Sequence, residues 1–355
     1  WIAQWEHRPG VVHVHDHHTA LIPFMMQHCF AYQHLSGVPT VLTIHNGQYQ
    51  GWMGWDKSNY IPAWDTWQWG LLDWSNTINP LACGVKCADR VTTVSPSYME
   101  ELTENANGLE QLFRMERMKC TGILNGIDTQ VWDPEKDTYI LDNFSISDAE
   151  AGKQLNKKKL CDDFQLDMEK PLFVYIGRMV GEKAADLLPQ AINDAFSHIG
   201  SKMNFLILGS GDPSVEEQLS AMNNGYVGYY NSQIGYNEKL SHQMYAGADF
   251  LLMPSRVEPC GLNQMYALRY GTIPIVRRTG GLKDTVIDFG EPNGYGICFN
   301  YATVWDITYS IHRAVELYDD KEKMKSIIGQ IMKIDNSWET SSEKYINLYQ
   351  SIRQI

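Results

Sequence analysis

At 355 residues the chain is too long for one ordinary hydrophobic core and suits two domains of roughly 150–200 residues each. A hydrophobic content of 44% against 20% charged residues marks a globular protein, and no apolar run is long enough to span a membrane. The formal charge of −13 argues against nucleic acid as a partner, while a few local cations can still hold a small anionic substrate.

Strand-like and helical runs alternate in chain order. Val11–His15, Val41–His45 and Val91–Ser95 are short, β-branched and bounded by polar or Pro/Gly residues, as strands are. The polar stretch 133–170, with "NKKKLCDDFQLDMEK", reads as a short helix and linker with a domain boundary near residue 166. Beyond it Leu172–Gly177, Phe205–Gly209, Tyr226–Tyr230, Phe250–Met253 and Ile273–Val276 read as strands, with helices over Ala184–Ile199 and Asn237–Ala248. Such alternation predicts an α/β protein of parallel sheets with helices on both faces. In "SSEKYINLYQSIRQI", Tyr345, Leu348, Tyr349 and Ile352 repeat at i, i+3, i+4, i+7, the stripe of an amphipathic helix that packs on something. The expected division is therefore 1–165, 166–335 and a last helix in 336–355.

The seven cysteines (Cys29, Cys83, Cys87, Cys120, Cys161, Cys260, Cys298) are odd in number and irregular in spacing, which is no disulfide framework and suits a reducing cytoplasm. Cys83 and Cys87 lie one helical turn apart, but without a CxxC pair they make no recognisable zinc site.

Candidate chemistry collects where strands end. In "FVYIGRMVGEK" a glycine and Arg178 follow a buried strand and Lys183 comes shortly after; a guanidinium fork and an ammonium are phosphate-binding groups, though two surface cations would look the same. "LILGSGDP" repeats the placement one strand later with Gly209, a weak signal by itself. "RRTGGLKDTV" puts Thr279, Gly280 and Gly281 before a helix, either as an anion-binding helix start or as glycines for close strand–helix packing. "SRVEPCGLNQ" ends a buried strand on Arg256 and Glu258, a solvated turn or the edge of a site. In "VVHVHDHHTAL", His13 and His15 share one side of a strand while His17 and His18 fall in the turn. No Glu or Cys at a ligand spacing accompanies them, so hydrogen bonding to a polar substrate fits better than a metal. Six tryptophans (Trp52, Trp55, Trp64, Trp67, Trp69, Trp74) form either a core or a sugar-stacking platform.

These motifs also occur together and in a known order. "HVHDHHTAL", "HNGQYQG", "TTVSPSY", "GILNGID", "GRMVGEK", "LGSGDP", "GYNEKLSHQMYAGAD" and "PSRVEPCGLNQMYALRYGTIPIVRRTGGLKDTV" resemble bacterial glycogen synthases and plant starch synthases, the retaining glycosyltransferases of family 5. The resemblance runs over essentially the whole chain. It implies two Rossmann-like domains facing across a cleft (the type B, or GT-B, glycosyltransferase fold), with a last helix that crosses back to brace the N-terminal domain. It implies transfer of glucose from ADP-glucose to the non-reducing end of an α-1,4-glucan, with no metal and no cofactor; the charge and the lack of a membrane-length apolar run already argue against a nucleic-acid or membrane partner.

Carried over by position, the resemblance makes Arg178 and Lys183 the holders of the donor diphosphate and Glu258 the essential carboxylate facing the transferred glucose. Tyr236 would stack on adenine. Leu262 and Asn263, after Gly261, would offer N–H groups to the distal phosphate. His18 and Asn125 would reach the sugar from the other domain. Gly177, Gly209, Thr279, Gly280 and Gly281 complete the donor-binding set, and Cys260 fills space in the same pocket. Glu258 is cast as electrostatic support rather than a nucleophile, because Tyr266 stands where related families carry a second glutamate.

The chain departs from the family pattern at Ala184 (usually glycine), Asn263 (usually threonine), Val257 (usually phenylalanine) and His17 (frequently tryptophan). It also opens at "WIAQWEHRPG", without the Lys-Thr-Gly-Gly-Leu loop of the family's first strand, so an N-terminally truncated chain with an incomplete first domain is expected. A non-catalytic nucleotide- or glucan-binding remnant is the alternative function. A sucrose- or trehalose-type transferase using UDP-glucose is disfavoured by the absent second glutamate.

Overall fold

The computed structural model describes residues 4–5 and 7–353. The chain forms two compact units, one comprising residues 1–125 and 339–355, the other residues 126–338.

In the first unit β1 (Val12–His15), β2 (Thr40–Ile44), β3 (Arg90–Thr93) and β4 (Cys120–Gly122) make a parallel sheet in the order β1-β2-β3-β4. All five residues of β2 are buried, as a parallel strand covered on both faces requires. The helices Pro80–Cys87 and Pro96–Glu101 each start on proline, and the side chains of Asn79 and Ser95 cap them by accepting from Ala82 N and Tyr98 N. The last helix of the described residues, Trp338–Arg353, belongs to this unit from residue 339. There Tyr345, Leu348 and Tyr349 are half-buried and Ile352 is buried, the stripe expected from the sequence. Of the clustered tryptophans, Trp55 and Trp64 pack against a core containing Phe24, Leu72 and Ile78, whereas Trp52, Trp67 and Trp69 are exposed.

The second unit holds β5 (Leu172–Ile176), β6 (Asn204–Gly209), β7 (Tyr230–Ile234), β8 (Phe250–Met253), β9 (Ile273–Arg277) and β10 (Ile297–Phe299). Its parallel sheet runs β10-β9-β8-β5-β6-β7, the Rossmann order. Alternate residues feed two cores. Phe173, Tyr175, Phe205, Ile207, Phe250 and Leu252 face one, and Leu172, Val174, Leu206, Leu208, Leu251 and Met253 the other. The order reverses between β5 and β8, so their carboxyl ends flank the crevice where such sheets bind ligands.

Three expectations need correction. The segment 126–165 lies in the second unit, not the first, because Ala149–Phe164 is a helix sewn into it: Lys153 bonds to Ala246 O, Tyr270 O and Thr272, and Lys157 pairs with Asp249 at 2.7 Å. The strand expected at Tyr226–Tyr230 begins at Tyr230 instead. Its aromatic lead-in is a turn, closed by Tyr229 N donating to Tyr226 O, while the edge strand itself carries the polar Asn231, Ser232 and Gln233. The helix expected over Ala184–Ile199 starts at Leu188, since Ala184 adopts a left-handed conformation (φ 53°, ψ 31°) that no helix continues through. Among the described residues no helix is long and apolar enough to cross a membrane.

Candidate active site

The carboxyl ends of β5, β6, β8 and β9 carry the expected residues of the second unit. Ile176, Gly177 and Arg178 leave β5, and a short turn, Gly181–Lys183, follows. After β8 the chain turns through Ser255–Gly261 into the helix Asn263–Arg269, with Gly261 at φ 73°, a backbone state that suits glycine. The first N–H groups of such a helix have no intrahelical acceptor.

Lys183 and Glu258 meet here. The ammonium donates to both carboxylate oxygens, at 2.7 and 2.6 Å, and the Ser255 hydroxyl donates to Oε2 at 2.9 Å. Glu258 is only 7% exposed. Tyr175, whose hydroxyl donates to Arg178 O, has its phenol pushed up by burial and then by the Glu258 carboxylate.

Arg256 does not face this pair. Its guanidinium bonds in a fork to Asp186 at 2.6 and 2.8 Å and donates to Gly181 O, while the N–H groups of Arg256 and Val257 both donate to Glu182 O. The turn bearing Lys183 is thereby tied to the turn bearing Glu258. Arg277, at the end of β9, adds bonds to the carbonyls of Ser255 and Arg256. Gly281 N donates to the Glu258 and Pro259 carbonyls, and a Cβ on Gly281 would lie 2.0 Å from Cys260 O. Thr279, Gly280 and Gly281 thus support the 258–261 turn from beneath, with Cys260 buried against them. This close packing is against the 258–261 turn rather than between strand and helix.

Two contiguous cavities open at the crevice. One, of about 210 Å3, is lined by Lys183, Glu258, Ser255, Tyr175 and Leu262, together with Gly177, Arg178 and Asn263. The other, of about 320 Å3, shares Ile176, Gly177, Arg178 and Asn263 and continues past Gly209 to Tyr236, Tyr245, Tyr266 and Trp132. Asn263 Nδ2 donates to Ile176 O at 2.6 Å, and Tyr236 is 86% exposed. Trp132 is a wall that sequence reasoning missed. Its indole stacks between His242 at 3.8 Å and Tyr266 at 3.9 Å, while the buried His242 is held by Asp137 at 2.6 Å.

A cavity with aromatic walls joined through an arginine to a cavity with a lysine–carboxylate pair can hold a nucleoside, a diphosphate and a sugar in line. Such a ligand fits the similarities of the chain. Residues 1–115 match the family described as "Starch synthase catalytic domain", and residues 156–328 match "Glycosyl transferases group 1". The glycogen synthase of Flavobacterium johnsoniae is 56% identical over 354 residues, spanning 100% of this chain and 75% of that protein. The chain belongs to the glycogen and starch synthase family of glycosyltransferases.

A glycogen synthase of Streptococcus sanguinis is 38% identical over 97% of this chain and 74% of its own length. The catalytic domain of starch synthase IV from Arabidopsis thaliana, solved with ADP and acarbose, superposes with a TM-score of 0.88 at 31% identity, covering 98% of this chain and 73% of that one. The fold is thus that of the type B glycosyltransferases, built from two Rossmann-like units.

The remaining family positions lie in the first unit. His18 is exposed on the short helix Asp16–Thr19, its ring tilted against that of His17 with centroids 3.8 Å apart, and Asn125 is half-buried. His13 is not at a free strand end: its ring bonds to Tyr349 at 2.7 Å and Thr43 at 2.6 Å, fastening the last helix to β1 and β2. Burial, and then the neighbouring His15 and His45, push its pKa down to about 4. No group of three or more His, Cys, Asp or Glu among the described residues is arranged to hold a metal ion.

Proposed function

We propose that the chain transfers glucose from ADP-glucose to the non-reducing end of an α-1,4-glucan with retention of configuration. The observation that carries this reading is the pair of contiguous cavities joined at Arg178, one aromatic and one holding Lys183 against Glu258. Adenine lies against Tyr236 and the Trp132 wall, the diphosphate takes Arg178 and Lys183, and glucose faces Glu258. The helix start at Leu262 and Asn263 gives the distal phosphate its N–H groups. For His18 and Asn125 the reading rests on the family pattern alone. ADP as the nucleotide is supported by its presence in the starch synthase IV structure.

The chemistry follows from these charges. The bond between glucose C1 and the phosphate oxygen breaks, giving an oxocarbenium-like transition state. Lys183 and Arg178 stabilise the charge that develops on the departing ADP, a task for preorganised cations. The acceptor hydroxyl attacks C1 from the face that ADP leaves, and its proton passes to the departing phosphate oxygen. Glu258 stabilises the positive charge on the sugar. Lys183, paired with Glu258, must turn to phosphate when donor binds. A reducing cytoplasm is read from the odd number and irregular spacing of the seven cysteines.

The test is incorporation of labelled glucose into glycogen from ADP-glucose and, separately, UDP-glucose, with the anomeric configuration of the new linkage read by NMR. Transfer from ADP-glucose with a new α-1,4 linkage is expected. No transfer from any nucleotide-glucose would overturn the reading.

A further inference from the structure

A third cavity lies at the amino edge of the same six-stranded sheet, away from the crevice at its carboxyl edge. It measures about 400 Å3 and is bounded by the helices Ala149–Phe164 and Lys321–Ile331 and by Asp249, just ahead of β8. Its lining carries four lysines (Lys153, Lys157, Lys321, Lys325) against two carboxylates, Glu150 and Asp249, in a chain whose net charge is −13.

The donors of each ammonium can be accounted for. Lys153 spends all three N–H groups on Ala246 O, Tyr270 O and Thr272 Oγ1, with no carboxylate partner, and its burial draws the pKa down to about 7. Lys157 spends two, on Asp249 at 2.7 Å and the Tyr318 hydroxyl at 3.0 Å, and keeps one. Lys321 sits 3.3 Å from the Tyr318 ring centroid and has no ion-pair partner among the described residues. Lys325 pairs with Glu150 at 3.0 Å, both of them solvent-exposed. With Lys153 only partly charged at neutral pH, between one and two positive charges are left over, beside N–H groups of Lys157, Lys321 and Lys325 that are unused or held only by an exposed carboxylate. Apolar surface from Met324, Ile328 and Tyr318 completes the wall.

We propose that this cavity binds a phosphate monoester whose ester group is apolar or ring-bearing. A monoester carries close to two negative charges at neutral pH, matching the excess once Lys153 is fully protonated, and lysine is a point-charge partner for phosphate. The apolar wall takes the ester group. This assignment is independent of the donor reading, because none of its residues lines the donor crevice.

Phenyl phosphate is the probe, titrated calorimetrically into the chain with ADP present at saturation to block the donor crevice; inorganic phosphate serves as the head-group control. The expected result is saturable binding at one site, about tenfold tighter for phenyl phosphate than for phosphate because the ring is buried. The double variant Lys321→Gln/Lys325→Gln, at two exposed positions, keeps the parental melting temperature and weakens binding at least about tenfold, some 1.4 kcal/mol. A dianion beside Lys153 also favours its charged form, so binding at pH 7 takes up protons, read from heats in buffers of different ionisation enthalpy. The proposal is overturned by an absence of saturable binding, by competition with ADP, by unchanged affinity in the double variant, or by binding without proton uptake.

Discussion

Replacing Lys183 by methionine leaves Glu258 buried at 7% exposure with the Ser255 hydroxyl as its remaining partner, in place of an ammonium at 2.7 and 2.6 Å. Breaking a buried pair from one side costs about 3–5 kcal/mol. Because the Lys183 side chain is 22% exposed, the lower end, about 3 kcal/mol, is expected. For a unit of this size that lowers the melting temperature by roughly 6–12 °C. Removing the stranded charge as well, in Lys183→Met/Glu258→Gln, should recover most of the loss, giving a coupling energy of about 2 kcal/mol between the two sites. Scanning calorimetry of parent, both single variants and the double variant closes the cycle. If Lys183→Met melts within about 2 °C of the parent, or the double variant is no more stable than Lys183→Met, the pair is not the buried charge couple described here.

Three further outcomes follow from other contacts. Gly281→Ala places a Cβ 2.0 Å from Cys260 O and 2.6 Å from Cys260 Cα, so the Glu258 turn must shift by about 1 Å; kcat for glucosyl transfer should fall on the order of 100-fold, and a loss under threefold would show that the turn does not set the geometry. Tyr236→Ala, at an 86% exposed position, should raise the Kd for ADP roughly five- to tenfold while leaving the melting temperature unchanged; equal affinity by calorimetry would remove the ring from the base site. His13 is neutral when folded, with its pKa lowered to about 4, and the unfolded chain takes up the proton first, so its contribution is unchanged above pH 6.5 and stability falls as pH drops from there toward 4. Discounted for partial exposure, the loss is about 2 kcal/mol; urea unfolding at pH 7 and pH 5 should show a shallower pH slope in His13→Gln than in the parent, and identical slopes would reject the linkage.

The crevice at the carboxyl edge of the second sheet was legible in the sequence because a parallel sheet presents its loop residues at strand ends, and strands buried on both faces announce themselves as continuous apolar runs. Arg178, Gly209 and Glu258 each follow such a run, and all lie at one edge of one sheet. What escaped was whatever reaches that edge from a distance. Trp132 precedes β5 by a long polar stretch, and nothing local in that stretch signals that its indole inserts between His242 and Tyr266. The same blindness misplaced the boundary near residue 166, since Lys153 and Lys157 read as solvated charges in "NKKKL" yet are buried against partners more than ninety residues away. Arg256 was visible as an oddity at a strand end, but its partners Asp186 and Glu182 lie on another strand's loop, so its clamping role needed coordinates.

The seven cysteines gain a use from their placement. All are buried, four in the first unit (Cys29, Cys83, Cys87, Cys120) and three in the second (Cys161, Cys260, Cys298). A thiol reagent added to the native chain therefore reacts only as fast as each unit opens. Mass spectrometry of the labelled peptides turns this endowment into two internal clocks, one for each unit. The Cys260 clock, lying behind Glu258, should slow when donor binds, while those of the first unit report their own opening without any introduced probe.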